Sequence, residues 1–157
     1  MSQTYTSPSN TFTFDYPDDW KLEKEEDGTL RLCKKVGLFK KDSPYPLRIT
    51  PLVSDEIISP EAYKALLTIR RKQHQDLQVV ESDSNYIMNF HILKYKKEIY
   101  QDVKERTFLM LQDYWELIIS NRIFTCWFSV KQGEENSNEV QEAKAAAVKI
   151  LYTIKLL

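Results

Sequence analysis

Two histidines, two cysteines and three glycines are all that this chain of 157 residues offers to the commonest catalytic and cofactor chemistries. His74 and His91 lie far apart, and neither has a second His or Cys at the short spacing that zinc sites use. No metal or other cofactor is therefore assigned. His91 alternates within an apolar run and reads as a core or surface-strand histidine, and His74 as part of a solvated helix end. A dinucleotide fingerprint or a phosphate-binding loop needs clustered glycines so that backbone amides can approach phosphate, and Gly28, Gly37 and Gly133 are dispersed. No Gly-x-Ser-x-Gly segment is present to form a nucleophile elbow. A Ser/His/Asp or Cys/His site assembled from distant residues stays open, but no local signal marks one. The acidic runs Asp18-Asp19, Glu25-Glu26-Asp27 and Glu134-Glu135 fall at turns, where carboxylates are solvated, whereas paired-carboxylate catalysis needs placement across a cleft. No catalytic residue is assigned, and the expectation is that the protein is not an enzyme.

What remains is binding chemistry. Lys34-Lys35 and Lys40-Lys41 flank "VGLF", and Tyr45 lies between two prolines just beyond. This loop, residues 37 to 46, has two readings. It is a solubilised connector whose Leu38 or Phe39 tucks onto the core, or a grip for a partner formed by Phe39, Lys40, Lys41 and Tyr45. "RRKQH" (70 to 74) and "KYKK" (94 to 97) would extend a positive surface if the fold brought them together. Trp115 and Trp127 sit in apolar runs and read as core rather than as a stacking platform.

The charge balance limits the partner. With 22 Lys+Arg against 23 Asp+Glu the formal charge is -1, so no global field draws the chain to nucleic acid or an anionic membrane. No apolar run approaches the roughly 18 residues of a membrane span. The polar start "MSQTYTSPSN" lacks the basic and apolar segments of a secretory signal, which points to a cytoplasmic address. In a reducing cytosol Cys33 and Cys126 are each expected to be small buried hydrophobes, although sequence alone leaves a disulfide open.

The elements that must position these residues follow from periodicity. Residues 1–10, rich in Ser and Thr, read as a flexible arm before a single domain spanning 11–157. Phe12, Phe14 and Tyr16 alternate onto one strand face, Pro17-Asp18-Asp19 turn the chain, and Trp20 opens the next strand. Gly28 closes a hairpin to "TLRLCKKV", and "LRITPLV" follows as a strand whose Pro51 argues for an edge or bulge. Ser59-Pro60-Glu61 starts a helix to about Gln75, with Ala62, Leu66 and Ile69 as its apolar stripe between Tyr63 and Leu67. A strand-rich region comes next, with turns expected at Asp83-Ser84-Asn85, Gln101-Asp102, Gln112-Asp113 and Asn121-Arg122, short connections that suit an antiparallel meander. Asn136 with Glu139 resembles a capping box, opening a helix with Val140, Ala143, Ala147, Ile150 and Ile154 on its packed side. The fold class is therefore α+β, an antiparallel sheet with two amphipathic helices.

The pattern Phe12-x-Phe14-x-Tyr16-Pro17, two residues, then Trp20 resembles the start of the PsbP-like superfamily. The later order, a helix opened by "SPEAY", a run of antiparallel strands and a final helix, is similar too. The resemblance implies an α/β/α sandwich around a central, mainly antiparallel sheet, used to bind other macromolecules without catalysis. It brings no functional motif to carry over. The expected function is a non-enzymatic cytoplasmic interaction protein whose partner is another protein, not nucleic acid or membrane. The alternatives are an immunity-type protein that neutralises a toxin, and a small-molecule binder or unrecognised hydrolase.

Overall fold

The computed structural model describes residues 1–53, 58–82, 85–100, 104–120 and 122–157. Six strands come first: β1 (Ser2–Thr6), β2 (Phe12–Pro17), β3 (Trp20–Lys24), β4 (Leu30–Val36), β5 (Lys41–Asp42) and β6 (Leu47–Val53). Helix α1 (Pro60–Gln73) follows, then β7 (Gln78–Ser82), β8 (Asn85–Tyr100), β9 (Lys104–Ile119) and β10 (Arg122–Lys131). Helix α2 (Asn138–Tyr152) and a short β11 (Lys155–Leu156) complete the order. An eight-stranded sheet runs β3-β4-β6-β10-β9-β8-β7, with β5 added beside β4, and β1-β2-β11 form a separate three-stranded sheet. Every described pairing is antiparallel.

Strand alternation sorts the side chains of the large sheet into two layers. On one face Trp115, Leu117, Phe124, Cys126 and Phe128 pack with Val140, Ala143, Ala147, Ile150 and Leu151 of α2 and with Phe12 and Phe14 of β2. On the other, Met88 and Ile118 pack with Tyr63, Leu66 and Leu67 of α1. Neighbouring residues of β9, Leu117 and Ile118, thus serve opposite helices, which is the α/β/α layering the resemblance implied. The first layer is the larger. Phe124 is fully buried there with the Phe12 ring edge-on at 5.1 Å, each such ring contributing about 1.5–3 kcal/mol.

Both helix starts are set by serine hydroxyls. Ser59 accepts from the Ala62 N–H at 3.1 Å, and Ser137 from the Val140 N–H at 3.2 Å. The second cap is therefore Ser137, one residue beyond the expected Asn136. In α1 the covered stripe is Tyr63, Leu66, Leu67 and Arg70, whereas Ala62 and Ile69 are exposed, a rotation of the expected face towards Tyr63. The stripe expected on α2 is buried as read.

Other expectations need correction. The segment read as an arm carries β1, whose register against β2 runs from Ser2 opposite Pro17 to Thr6 opposite Thr13. Its Ser/Thr content misled because a hydroxyl there bonds across the strand pair: Thr4 donates to Asp15, its partner on β2, at 2.6 Å. Gln112-Asp113 is no turn. Both residues lie within β9, paired with Ile92 and His91 on one side and Ser129 and Phe128 on the other. Their polarity is absorbed by Ser129, His91 and Lys144 rather than by solvent at a bend. Pro51 pairs only with Phe124 of β10, because β4 runs beside β6 no further than Ile49, so the missing N–H costs no ladder bond there. The turns expected at Asp83-Ser84, Gln101-Asp102 and Asn121 lie outside the described residues.

Candidate functional site: an uncovered basic and aromatic sheet face

Antiparallel partners that stand directly opposite share a face, so one rung can be followed across the sheet. Glu23 faces Arg31, Arg31 faces Arg48, Arg48 faces Trp127, Trp127 faces Tyr114, and Tyr114 faces Phe90. This rung lies on the α1 side of the sheet. Helix α1 covers its Phe90 end: the His74 ring lies on Phe90 at 4.0 Å and 15°, and the Arg70 guanidinium stands 5.7 Å over the same ring. Arg70 is also ion-paired with the buried Glu116 at 2.6 Å, which fixes the end of the helix to β9. Beyond Phe90 the helix stops, and the rest of the rung is open.

The open part is a row of near-parallel rings leading to two arginines. Phe90 and Tyr114 are 5.8 Å apart at 3°, and Tyr114 and Trp127 are 6.0 Å apart at 17°. Lys94 lies 5.7 Å over Tyr114, with its ammonium 3.4 Å from the hydroxyl oxygen. Arg48 donates to Glu25 at 3.1 Å, while Arg31 lies 3.5 Å from both Glu23 and Asp42. A hydrogen bond from Lys35, then the charges of Lys35 and Lys21 and the contact with Arg31, hold the Asp42 carboxyl below the usual range against its desolvation.

Above this row is a depression of about 390 Å³ lined by Arg31, Pro44, Pro46, Arg48, Lys94, Met110, Gln112, Trp127 and Ser129. Its ionisable lining is wholly cationic, and the carboxylate partners of the arginines lie outside it. Gln112 donates to the Ser129 hydroxyl at 3.1 Å and keeps its amide oxygen buried without a donor among the described residues.

The loop predicted as a grip is a β4–β5 hairpin at the margin of this depression. Gly37, with φ 75°, makes the tip turn that an L side chain resists, and Val36 pairs with Lys41 across it. Leu38 and Phe39 are 92% and 82% exposed, so the connector reading, with one of them tucked onto the core, is overturned. Lys40 and Lys41 are exposed beside them. Tyr45 leaves the group: its ring packs on the α2-side core and its hydroxyl donates to Glu134 at 3.0 Å. Pro44 and Pro46 join the hairpin to the depression, and Phe39, Lys40 and Lys41, at the far end of the hairpin, do not line it.

Several components escaped the sequence reading. Trp115 is core as expected, but Trp127 is half-buried on the open face. Arg31 and Arg48 were not singled out, although each alternates with buried leucine or isoleucine, the signal of an outward-facing position. Of "KYKK", Lys94 reaches this surface, and the side chains of the next three residues lie outside the description.

On the opposite face a second polar cluster forms. His91 stands between Asp76 and Asp113, 2.6 Å from each, and Lys144 of α2 lies 2.5 Å from the buried Asp113 carboxylate. The Nδ1 nitrogen is hydrogen-bonded to Asp76, while Nε2 lies against the buried Asp113 carboxylate without hydrogen-bond geometry. The cluster reads as a clamp between α2, β9, β8 and the turn after α1. Desolvation acts to raise the Asp76 carboxyl, but the hydrogen bonds from the His91 ring and backbone outweigh it and hold it low. Cys33 and Cys126 are free and buried. Among the described residues no three His, Cys, Asp or Glu side chains converge as a metal site, and no helix is long and apolar enough to cross a membrane.

Architecture and site together describe an α/β/α sandwich carrying an open basic-aromatic sheet face. No protein-family model matches the sequence, and no curated protein matches it. Solved structures do match. A crystal structure from Bacteroides thetaiotaomicron VPI-5482 is similar over 99% of this chain with a TM-score of 0.58 and 18% identity. This chain spans about half (48%) of that protein. The yeast Ran-binding protein Mog1p from Saccharomyces cerevisiae gives 0.52 and 8% identity over 99% of this chain and 95% of its own. Cyanobacterial PsbP (CyanoP) from Synechocystis sp. PCC 6803 gives 0.50 and 9% over 99% of this chain and 92% of its own. At such identities the likeness is one of fold, the α/β/α architecture that the resemblance implied.

Proposed function

We propose that this chain is a non-catalytic, cytoplasmic binding protein for another protein, engaged through the open sheet face and the β4–β5 hairpin beside it. The observation that carries the reading is the hairpin tip: Leu38 and Phe39 are held in solvent by the Gly37 turn, with Lys40 and Lys41 exposed beside them. Exposed apolar anchors, with aromatic and arginine side chains on the sheet face beyond the hairpin's base, match the composition of interface hot spots. The placement of His91 between two carboxylates and the absence of a convergent metal set among the described residues give no support to a catalytic reading. Mog1p, similar in fold, is a Ran-binding protein, which supports a binding role.

Capture from native lysate tests the reading. Wild-type protein is expected to retain a stable partner that Phe39→Ala and Lys40→Ala release. No partner at low and moderate salt, or undiminished capture by both variants, overturns it.

A further inference from the structure

We infer that the depression over Trp127 receives an acidic residue within a peptide segment of the partner. This rests on the binding reading above and names its chemistry. Three observations converge. First, Arg31 and Arg48 are directly opposed on neighbouring strands, which brings two guanidiniums to one side of the depression while Lys94 stands at another. Antiparallel partners lie about 5 Å apart at the backbone, so two such forks can share one carboxylate. Second, the buried Gln112 amide oxygen lines the same depression and lacks a donor among the described residues. A peptide N–H next to an acidic side chain would supply it, whereas a fully ionised phosphate offers only acceptors. Third, Glu23, Glu25 and Asp42 stand around the arginines, 3.1 to 3.5 Å from their guanidinium nitrogens. This outer ring of carboxylates repels an extended polyanion such as nucleic acid but leaves the cationic centre open to a single carboxylate.

The test is a titration of isotope-labelled protein with the capped tetrapeptide Leu-Glu-Asp-Leu, its amide counterpart Leu-Gln-Asn-Leu, and inorganic phosphate, read by amide and indole NMR shifts. The acidic peptide is expected to move the Trp127 indole, Ser129 and Gln112 side-chain resonances, and the amide peptide and phosphate are not. Binding should weaken about tenfold between about 0.05 and 0.5 M salt, as two or more exposed charges require. Arg48→Gln and Lys94→Gln should each weaken it about fivefold, and Lys94 is exposed enough that its variant keeps the native spectrum. Equal shifts from the amide peptide, or larger shifts from phosphate, overturn the inference. So does silence of the depression towards the acidic peptide. If that silence accompanies partner capture that Phe39→Ala still abolishes, the acidic-peptide inference falls and the binding reading stands. If the peptide binds while no partner is captured at either salt, the binding reading is the one that fails.

Discussion

Arg31 and Arg48 stand directly opposite one another on β4 and β6, two like charges in a position that ordinarily disfavours strand pairing. Glu25, in the turn before β4, accepts a hydrogen bond from Arg48, and Glu23 and Asp42 approach Arg31. The pair is therefore tolerated through three carboxylates placed by two different hairpins. Glu25→Gln should remove one of them, lowering stability by about 0.2–1 kcal/mol at low salt. The loss should shrink in about 1 M salt, where the arginine repulsion is screened. Glu25→Gln/Arg48→Gln should recover most of it. Urea midpoints for the two variants at both salt concentrations check this.

The contrast between β2 and β9 shows what periodicity conveys. Phe12 and Phe14 alternate cleanly, and both are buried as read, because a strand with one dry face leaves that pattern wherever it lies. Nothing in the alternation says that β2 pairs with β1 and β11 rather than joining the large sheet; that depends on partners far along the chain. In β9 the polar pair Gln112-Asp113 imitates a turn because its partners, His91, Ser129 and Lys144, are invisible to a local window. The candidate site is harder still. Its rung draws Arg31, Arg48, Trp127, Tyr114 and Phe90 from five strands, and only the register brings them together. The hairpin tip was legible, since Gly37 and the flanking lysines are contiguous, but the packing of Tyr45 against the α2-side core was not.

The two cysteines give a simple test of core packing. Burial pushes both thiols up, wholly so for Cys126 and against the nearby Arg31 charge for Cys33. A raised, buried thiol is a poor thiolate and an inaccessible one. Neither should react with a maleimide at neutral pH in the native protein, and both should react once urea unfolds it. Mass spectrometry of the labelled chain counts the adducts.

Tyr63 predicts alkaline behaviour. It is buried beneath α1, ring-stacked on Tyr86 at 3.8 Å, and donates to Glu81 at 2.9 Å. Burial first, then the hydrogen bond to Glu81 and its charge, push the phenol up to about 12 from an ordinary 10.0. The unfolded chain releases the proton near pH 10 and the folded one near 12. The stability tied to this group is thus complete below pH 10 and is lost as pH rises to 12. Tyr63→Phe should cost about 0.5–1.5 kcal/mol at pH 7, through the lost hydrogen bond, and its stability should fall less steeply between pH 10 and 12. Urea unfolding of both proteins across that range decides it.

The clamp around Asp113 should behave as one cooperative unit. Its carboxylate is buried and joins His91 of the neighbouring strand to Lys144 of α2, so it links the sheet to the helix that covers the larger core. Asp113→Asn keeps the shape but removes the charge that His91 and Lys144 face, and should cost about 1–3 kcal/mol. Lys144→Gln leaves the buried carboxylate with His91 alone and should cost a similar amount, because the charge that stays behind is the less hydrated of the two. Once Asp113 is neutral, Lys144 has no buried charge to balance, and its side chain, 35% exposed, returns to water. The double variant should therefore be less unstable than the sum of the singles by at least about 0.5 kcal/mol. Additive losses in a urea-unfolding cycle would show instead that the lysine contact is a surface pairing with no hold on α2.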